Sequence, residues 1–279
     1  MPVNMSISYR MDRCWCNYKM QFDLISDLHV EQWAANQQMD WSGLGTSLIA
    51  VVAGDVSRDL DLTYRTVVDI SKHYRHVIYV DGNHEHDGRR GINERRVEIR
   101  DRFSKYRNIT YLFRETVILD NTAFIGSNGW YSYNFCEPMM SKQECVHNLV
   151  HYKNKSQDLI FEQWEMAMED ADFIRNTVNI CSTDVTVKDI VLITHTVPNR
   201  QLAWIPDNDE IYLMGEQGST YLEDVLRADV NDKVKAWCFG HLHSSQDQLI
   251  NGIRYVSNPR GIPTHKTAKH IYYPQLIKC

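Results

Sequence analysis

Met20-Gln21-Phe22-Asp23-Leu24-Ile25-Ser26-Asp27-Leu28-His29 sets how the rest of the chain is read. A short apolar run of strand type ends in a carboxylate and an imidazole two residues apart. The same grammar recurs at Val52-Ala53-Gly54-Asp55, Val80-Asp81-Gly82-Asn83-His84-Glu85, Leu192-Ile193-Thr194-His195 and Phe239-Gly240-His241-Leu242-His243. Loops at the carboxyl ends of strands are where α/β proteins assemble their sites. In extended chain, residues i and i+2 face the same way, so Asp27/His29 and His241/His243 are each expected to turn two side chains to one cavity. Carboxylate oxygen, amide oxygen and imidazole nitrogen together suit borderline divalent ions such as Mn, Fe, Zn or Ni. An Asp such as Asp55 can bridge two ions through its two oxygens. Gly54, Gly82 and Gly240 allow the backbone to approach closely. Singly, each piece has an ordinary reading as a turn residue, a surface His or a hydrogen-bonded core His. Five in order, each after an apolar run, make coincidence a poor explanation.

Working outward, strands are expected at 22–26, 47–53, 76–80, 109–113, 116–119, 122–126, 190–194, 234–239, 248–250 and 254–257. Ile160, Phe161, Trp164, Ala167, Met168, Ala171 and Ile174 follow a helical period. Tyr64, Val67 and Val68 mark a second helix, and Thr220 with Glu223 resembles a capping box. Asp170 and Asp172 are placed on the solvated face of the long helix. Alternation of strand and helix early, then consecutive strands, implies two packed sheets with helices outside. Residues 20–279 read as one domain. Residues 1–19 are set apart as an N-terminal extension and a candidate for disorder, with Met20 as a candidate alternative start.

The 279 residues carry a formal charge of −6, which argues against broad adhesion to nucleic acid or anionic membrane. Seven cysteines, with no paired C-x-x-C, read as thiols in a reducing compartment. The longest apolar run, Leu48 to Ala53, is far too short to span a bilayer, and no signal peptide is visible. The expected location is cytoplasmic.

The ordered pieces D-x-H, G-D, G-N-H-E, H and G-H-x-H resemble the calcineurin-like metallophosphoesterase superfamily over roughly residues 20–262. Gly88, completing G-N-H-E-x-x-G, and Asn258-Pro259-Arg260-Gly261 resemble a microbial and phage subgroup. The resemblance implies a four-layer α/β/β/α sandwich of two mixed sheets with outer helices. It implies a first metal on Asp27, His29, Asp55 and His243, and a second on Asp55, Asn83, His195 and His241. Asp55 would bridge them, His84 would face the substrate phosphate, and Glu85 would orient His84. Two features depart from the subgroup: Thr196-Val197-Pro198-Asn199 follows His195, and Gly129-Trp130 replaces a Leu-Trp pair.

The expected activity is hydrolysis of phosphomonoesters or phosphodiesters of small molecules by a hydroxide shared between two divalent ions, with His84 assisting the leaving group. Two alternatives are a metal-dependent nuclease, which the net charge disfavours, and a non-catalytic scaffold, which the retained His84 disfavours. Arg260 is the first candidate for a phosphate contact, with Arg58 and Arg200 behind it as surface residues. Trp33, Trp130 and Tyr131 are read as packing residues that could flank the pocket. Substrate selection is assigned to loops 30–46, 127–158 and 196–218.

Overall fold

Ala50 and Val52 point to one face of their strand and Val51 to the other, and all three are fully buried. A strand apolar on both faces needs cover on both sides. The computed structural model, which describes residues 7–10, 19–87 and 91–279, supplies that cover with two sheets and outer helices. The five-stranded sheet runs β12 (Gln275–Lys278), β2 (Gln21–Ile25), β3 (Ile49–Ala53), β4 (His76–Val80), β5 (Ile109–Tyr111). The seven-stranded sheet runs β1 (Ile7–Arg10), β6 (Glu115–Leu119), β7 (Thr122–Gly126), β8 (Asp189–Ile193), β9 (Val234–Phe239), β11 (Ile253–Ser257), β10 (Gln246–Ile250). Both sheets are mixed: β2, β3, β4 and β5 are parallel and β12 is antiparallel to β2, while β7, β8, β9 and β11 are parallel and β6 and β10 are antiparallel.

Between the sheets Phe22, Leu24, Val51, Ile78 and Val80 meet Val117, Phe124, Val191, Ile193 and Val256 in one buried cluster. The outer face of the five-stranded sheet packs on helices α1 (Leu60–Ser71) and α2 (Ile92–Phe103) through Ala50, Val52, Val67, Ile70, Ile99 and Phe103. Helices α3 (Lys142–Lys153) and α4 (Gln157–Thr183) follow β7, and α4 covers the seven-stranded sheet with Ala171, Ile174 and Val178 on Ile125, Ile190 and Leu192. This is the expected four-layer sandwich. A further cluster, with Trp130, Tyr133, Leu149, Ile160, Ile211 and Met214, joins α3 and the start of α4 to the 208–216 segment. Among the described residues no helix is long and apolar enough to cross a membrane.

The ten expected strands all form, with bounds within two residues of the reading. Two more were not marked: β12, which pairs with β2 from the far end of the chain, and β1, which pairs with β6 inside the stretch set aside as an extension. Residues 1–6, 11–18 and 88–90, including Gly88, lie outside the described residues. The helix at Thr220 is capped by Ser219, whose hydroxyl accepts from the Tyr221 amide, so the box read from Thr220 and Glu223 is displaced by one residue. A capping box joins Ser141 to Glu144 at the start of α3.

Asp170 corrects a second expectation, because it is buried and not solvated. Its oxygens meet Arg114 Nε at 2.7 Å and Arg96 Nη2 at 3.4 Å, and Arg96 reaches Asp81 at 3.5 Å. Arg96, fully buried, takes an apolar position of α2 beside Ile92, Ile99 and Phe103. Burial pushes the Asp170 carboxyl up, but Arg96 and Arg114 hold it below its ordinary value. A carboxylate depressed in the folded state stabilises fully above its unfolded pKa of about 3.9, and that contribution is lost as pH falls through the folded value. Arg96→Leu removes the guanidinium shared by two buried carboxylates, leaving Asp170 on Arg114 and Asp81 on His86 and Tyr111, so an unfolding free energy lower by about 3 kcal/mol is expected in urea at pH 7. A variant within about 0.5 kcal/mol of wild type would mean the network is neutral.

Candidate metal centre

All seven sequence-predicted metal residues converge beyond the carboxyl ends of β2, β3, β4, β8 and β9. Donor atoms of Asp27, His29, Asp55 and His243 lie within 4.8 Å of one another, as do those of Asp55, His195 and His241. Asn83 Oδ1 stands 3.1 Å from His195 Nε2 and 2.9 Å from His241 Nδ1. His241 N on Asp27 Oδ1 at 2.7 Å stitches the two sheets at this point, while Asp27 N on Gly54 O at 3.0 Å and Gly240 N on His195 O at 2.9 Å tie neighbouring loops within each sheet.

The paired motifs reach one cavity, but by a different route from the one expected. Asp27, His29, Asp55, His241 and His243 all have left-handed φ, between 43° and 76°. The i, i+2 side chains are therefore aimed by kinked loops and not by extended strand. Non-glycine residues in this region are uncommon, and their clustering at a site marks stored strain. Gly82 is required by crowding: a Cβ there would sit 2.1 Å from Asp55 Oδ1. Gly54, at φ +79°, would bring a Cβ within 2.5 Å of His195 Nδ1.

Hydrogen bonds fix which ring nitrogens face inward. His195 Nδ1 lies 2.9 Å from the Ala53 carbonyl, and a carbonyl only accepts, so the proton sits there. Its Nε2 then faces Asp55 Oδ2 at 3.2 Å and Asn83 Oδ1 at 3.1 Å. His241 donates from Nε2 to Glu216 O at 2.8 Å and turns Nδ1 on the same Asn83 oxygen. His29 Nε2 meets His243 Nε2 at 2.8 Å, and Asp27 Oδ2 is buried with no partner. His241 Nδ1 facing Asn83 Oδ1, acceptor to acceptor, and a buried Asp27 oxygen with no partner call for a cation, and this donor set fits divalent metal. His243 Nδ1 points outward to His265 Nδ1 at 3.2 Å.

The electrostatics agree. Burial draws His29 and His241 down to about 3, leaving neutral lone pairs. Burial also pulls on His195, but Asp55 overrides it and lifts the imidazole to about 10, so without metal a proton takes the place between Nε2 and Asp55 Oδ2 that a cation would fill. Burial pushes Asp55 up, yet His195, His84 and His29 hold it well below its usual range, while Asp27 is raised by burial. The pocket attracts positive charge at its centre.

His84 stands at the rim. Its Nδ1 is 2.7 Å from Asp87 Oδ2 and 3.0 Å from Arg58 Nε, and its Nε2 is 3.9 Å from Asp55 Oδ2. Burial lowers its pKa, but Asp55 and Asp87 raise it further, to a net value above the ordinary one. Asp87, three residues along, orients the ring. Glu85 does something else: its buried carboxylate accepts from the Gly82, Asp55 and Val56 amides at 2.7, 3.1 and 2.7 Å and locks the β3 and β4 loops together. Burial, then Asp55, lifts Glu85 to about 7.

Arg260 does not face the centre. It is 1% exposed, stacks 3.8 Å from the Trp33 ring and donates to Gln37 O. Arg200 bonds the Glu137 carbonyl at 2.5 Å, and half-exposed Arg58 stays beside Asp87 at 3.1 Å. A cavity of about 830 Å³ opens from Asn83, His241 and His243, with Trp130 and Tyr131 in its wall. Loops 127–158 and 196–218 contribute to it through Lys155, Trp204, Leu213 and Glu216, whereas 30–46 does not. Sequence reasoning missed Asp87, His265, Lys155 and Trp204. Only Asp87 carried a signal, its i+3 spacing from His84.

Ligand-type side chains gathered at strand ends of two facing sheets, beside an open cavity, have the arrangement of a site for divalent metal. The family model for calcineurin-like phosphoesterases matches residues 20–245. The chain belongs to that family and is a phosphoester hydrolase dependent on divalent metal. It is 23% identical to an uncharacterized protein, L509, of Acanthamoeba polyphaga mimivirus, over 85% of this chain and 89% of that one. Its fold is similar to a phosphopantetheinyl hydrolase from Mycobacterium tuberculosis, with TM-score 0.66 and 20% identity over 88% of this chain and 90% of the other. It is also similar to a dimetal phosphatase from Danio rerio, with TM-score 0.52 and 13% identity over 94% and 93%.

Proposed function

We propose that residues 20–279 form one catalytic domain that hydrolyses phosphate esters of small molecules at a centre of two divalent ions. Asp27, His29, Asp55 and His243 would hold the first, and Asp55, Asn83, His195 and His241 the second. The observation that carries this is the meeting of ligand-type atoms around Asp55, with His195 Nε2 and Asn83 Oδ1 on one side and His29 Nε2 and His243 Nε2 on the other. Two such ions, when bound, lower the pKa of a shared water and offset phosphate charge.

The chain's own residues do the positioning. Ala53 and Glu216 carbonyls fix the ring faces of His195 and His241. Asp55 Oδ1 accepts from the His84 amide at 2.9 Å, which ties the ligand loop to the rim. With Nδ1 held by Asp87, His84 has Nε2 free towards the centre, placed to protonate a leaving alkoxide. Arg58 Nε beside that ring supplies a positive charge for a phosphoryl oxygen. The Asn258-Pro259-Arg260-Gly261 turn supports the microbial and phage subgroup. In the structure it backs the first site, as Gly261 N donates to Asp27 O at 2.9 Å. The named phosphopantetheinyl hydrolase and dimetal phosphatase of similar fold favour a small phosphorylated substrate and a dinuclear centre.

The test is hydrolysis of p-nitrophenyl phosphate and bis(p-nitrophenyl) phosphate with Mn, Ni, Zn, Fe and Co after chelator treatment. At least one ester is expected to turn over with a metal and to stop with chelator. Inertness across all ten combinations would overturn the reading.

A further inference from the structure

Trp204 is an exposed tryptophan whose backbone is held from both sides. The buried Gln217 amide accepts from Trp204 N at 2.8 Å and donates to Trp204 O at 2.7 Å, while the residue is 55% exposed. The clamp fixes the main chain and leaves the indole at the edge of the cavity it lines. An ordered aromatic left in water forgoes the free energy its burial would release, and ligand sites commonly hold such a ring at the mouth of a cleft.

The cavity, about 830 Å³, has room for a whole small molecule and far more than a phosphoryl group. Buried Trp130 and Tyr131 line the same cavity, and the Tyr131 ring lies 5.7 Å from that of His241. Of the two lysines that line the cavity, Lys155 lies over the Tyr131 ring and is already paired with Glu216, so beside Tyr131 a neutral group fits better than a second phosphate. The platform is also rigidly tied to the chemistry. Glu216, next to the clamping Gln217, holds His241 through its carbonyl, and Gln217 O accepts from Val197 N at 2.9 Å, two residues past His195.

We infer that Trp204 is a stacking platform for a planar aromatic group, such as a nucleobase, carried on the alcohol portion of the substrate. This rests on the phosphoesterase reading above. The residue determines specificity and does not touch the reacting atoms.

The test uses the metal-loaded chain and whichever nitrophenyl ester it turns over, with adenosine 5′-monophosphate, phenyl phosphate and ribose 5-phosphate as competitors. Wild type is expected to bind the adenosine ester roughly ten-fold or more tightly than ribose 5-phosphate, a factor within the range for one base on one aromatic side chain. Trp204→Ala should bring that ratio close to one, and Trp204→Phe should restore most of it. Phenyl phosphate separates the possible sources: preference for it equal to that for the adenosine ester means any aromatic ring suffices, and weaker preference means the larger base is selected. Both results support the platform. An active wild type with no preference, or a preference that survives in Trp204→Ala, overturns this inference alone. A chain that turns over neither nitrophenyl ester overturns the phosphoesterase reading and this inference with it.

Discussion

Asp55→Asn is expected to strip the chain of metal and of turnover together while leaving it folded. Asp55 is the one residue common to both donor groups, and its Oδ2 lies 3.2 Å from His195 Nε2 and 3.8 Å from His29 Nε2. An amide removes the negative charge and replaces one acceptor oxygen with a donor nitrogen. It also removes the carboxylate that holds a proton on His195 in the metal-free protein, so His195 turns neutral and its Nε2 accepts from the new amide. The metal-free variant is expected to unfold in one cooperative transition, with the Asp55–His195 charge pair replaced by a neutral hydrogen bond. Metal affinity should fall by more than the roughly 10- to 100-fold typical of residues that only support a ligand. Calorimetric titration with Mn reads the affinity, and a thermal melt of both apo proteins reads the fold. A variant that keeps two ions would remove Asp55 from the bridging position.

His84→Ala should do the opposite, keeping metal and losing turnover. No donor atom of His84 belongs to either converging group, and its ring is held from outside by Asp87, which accepts from Nδ1 at 2.7 Å. Losing a general acid costs typically ~10²- to 10⁴-fold in rate. The deficit should depend on the leaving group. A nitrophenolate departs without much help from a proton, whereas an alkoxide needs one. The fall in kcat is therefore expected to be larger for an alkyl phosphate than for a nitrophenyl ester, at unchanged metal content. Equal falls for both would assign His84 to charge stabilisation of the phosphoryl group. Undiminished turnover of the alkyl ester would remove it from the mechanism.

The parts of this molecule that were legible in the sequence are those written by local patterning. Val51, Ile78 and Val191 sit in unbroken apolar runs because their strands are covered on both faces, so the strands announced themselves. The seven metal residues stood out because each follows such a run. What local pattern cannot carry is tertiary partnership. Asp170 read as solvated because its helical position is polar, yet Arg96 and Arg114 reach it from segments 74 and 56 residues away. Helix α2 was hidden because an arginine occupies its apolar stripe. Arg260 read as a phosphate contact from its turn, but the Trp33 face beneath it captures the guanidinium. The left-handed kinks at Asp27, His29, His241 and His243 had no sequence signal, since side-chain type alone does not fix φ. Glu216 was invisible for a simpler reason: it serves His241 through its backbone carbonyl, which every residue possesses.

The twin-ion centre is tested most directly by an anomalous difference map from crystals grown with manganese. Two peaks about 3.5–4 Å apart, one on each side of Asp55, with Asp27, His29 and His243 about the first and Asn83, His195 and His241 about the second, are the expected result. A single peak, or none at full manganese saturation, would contradict it.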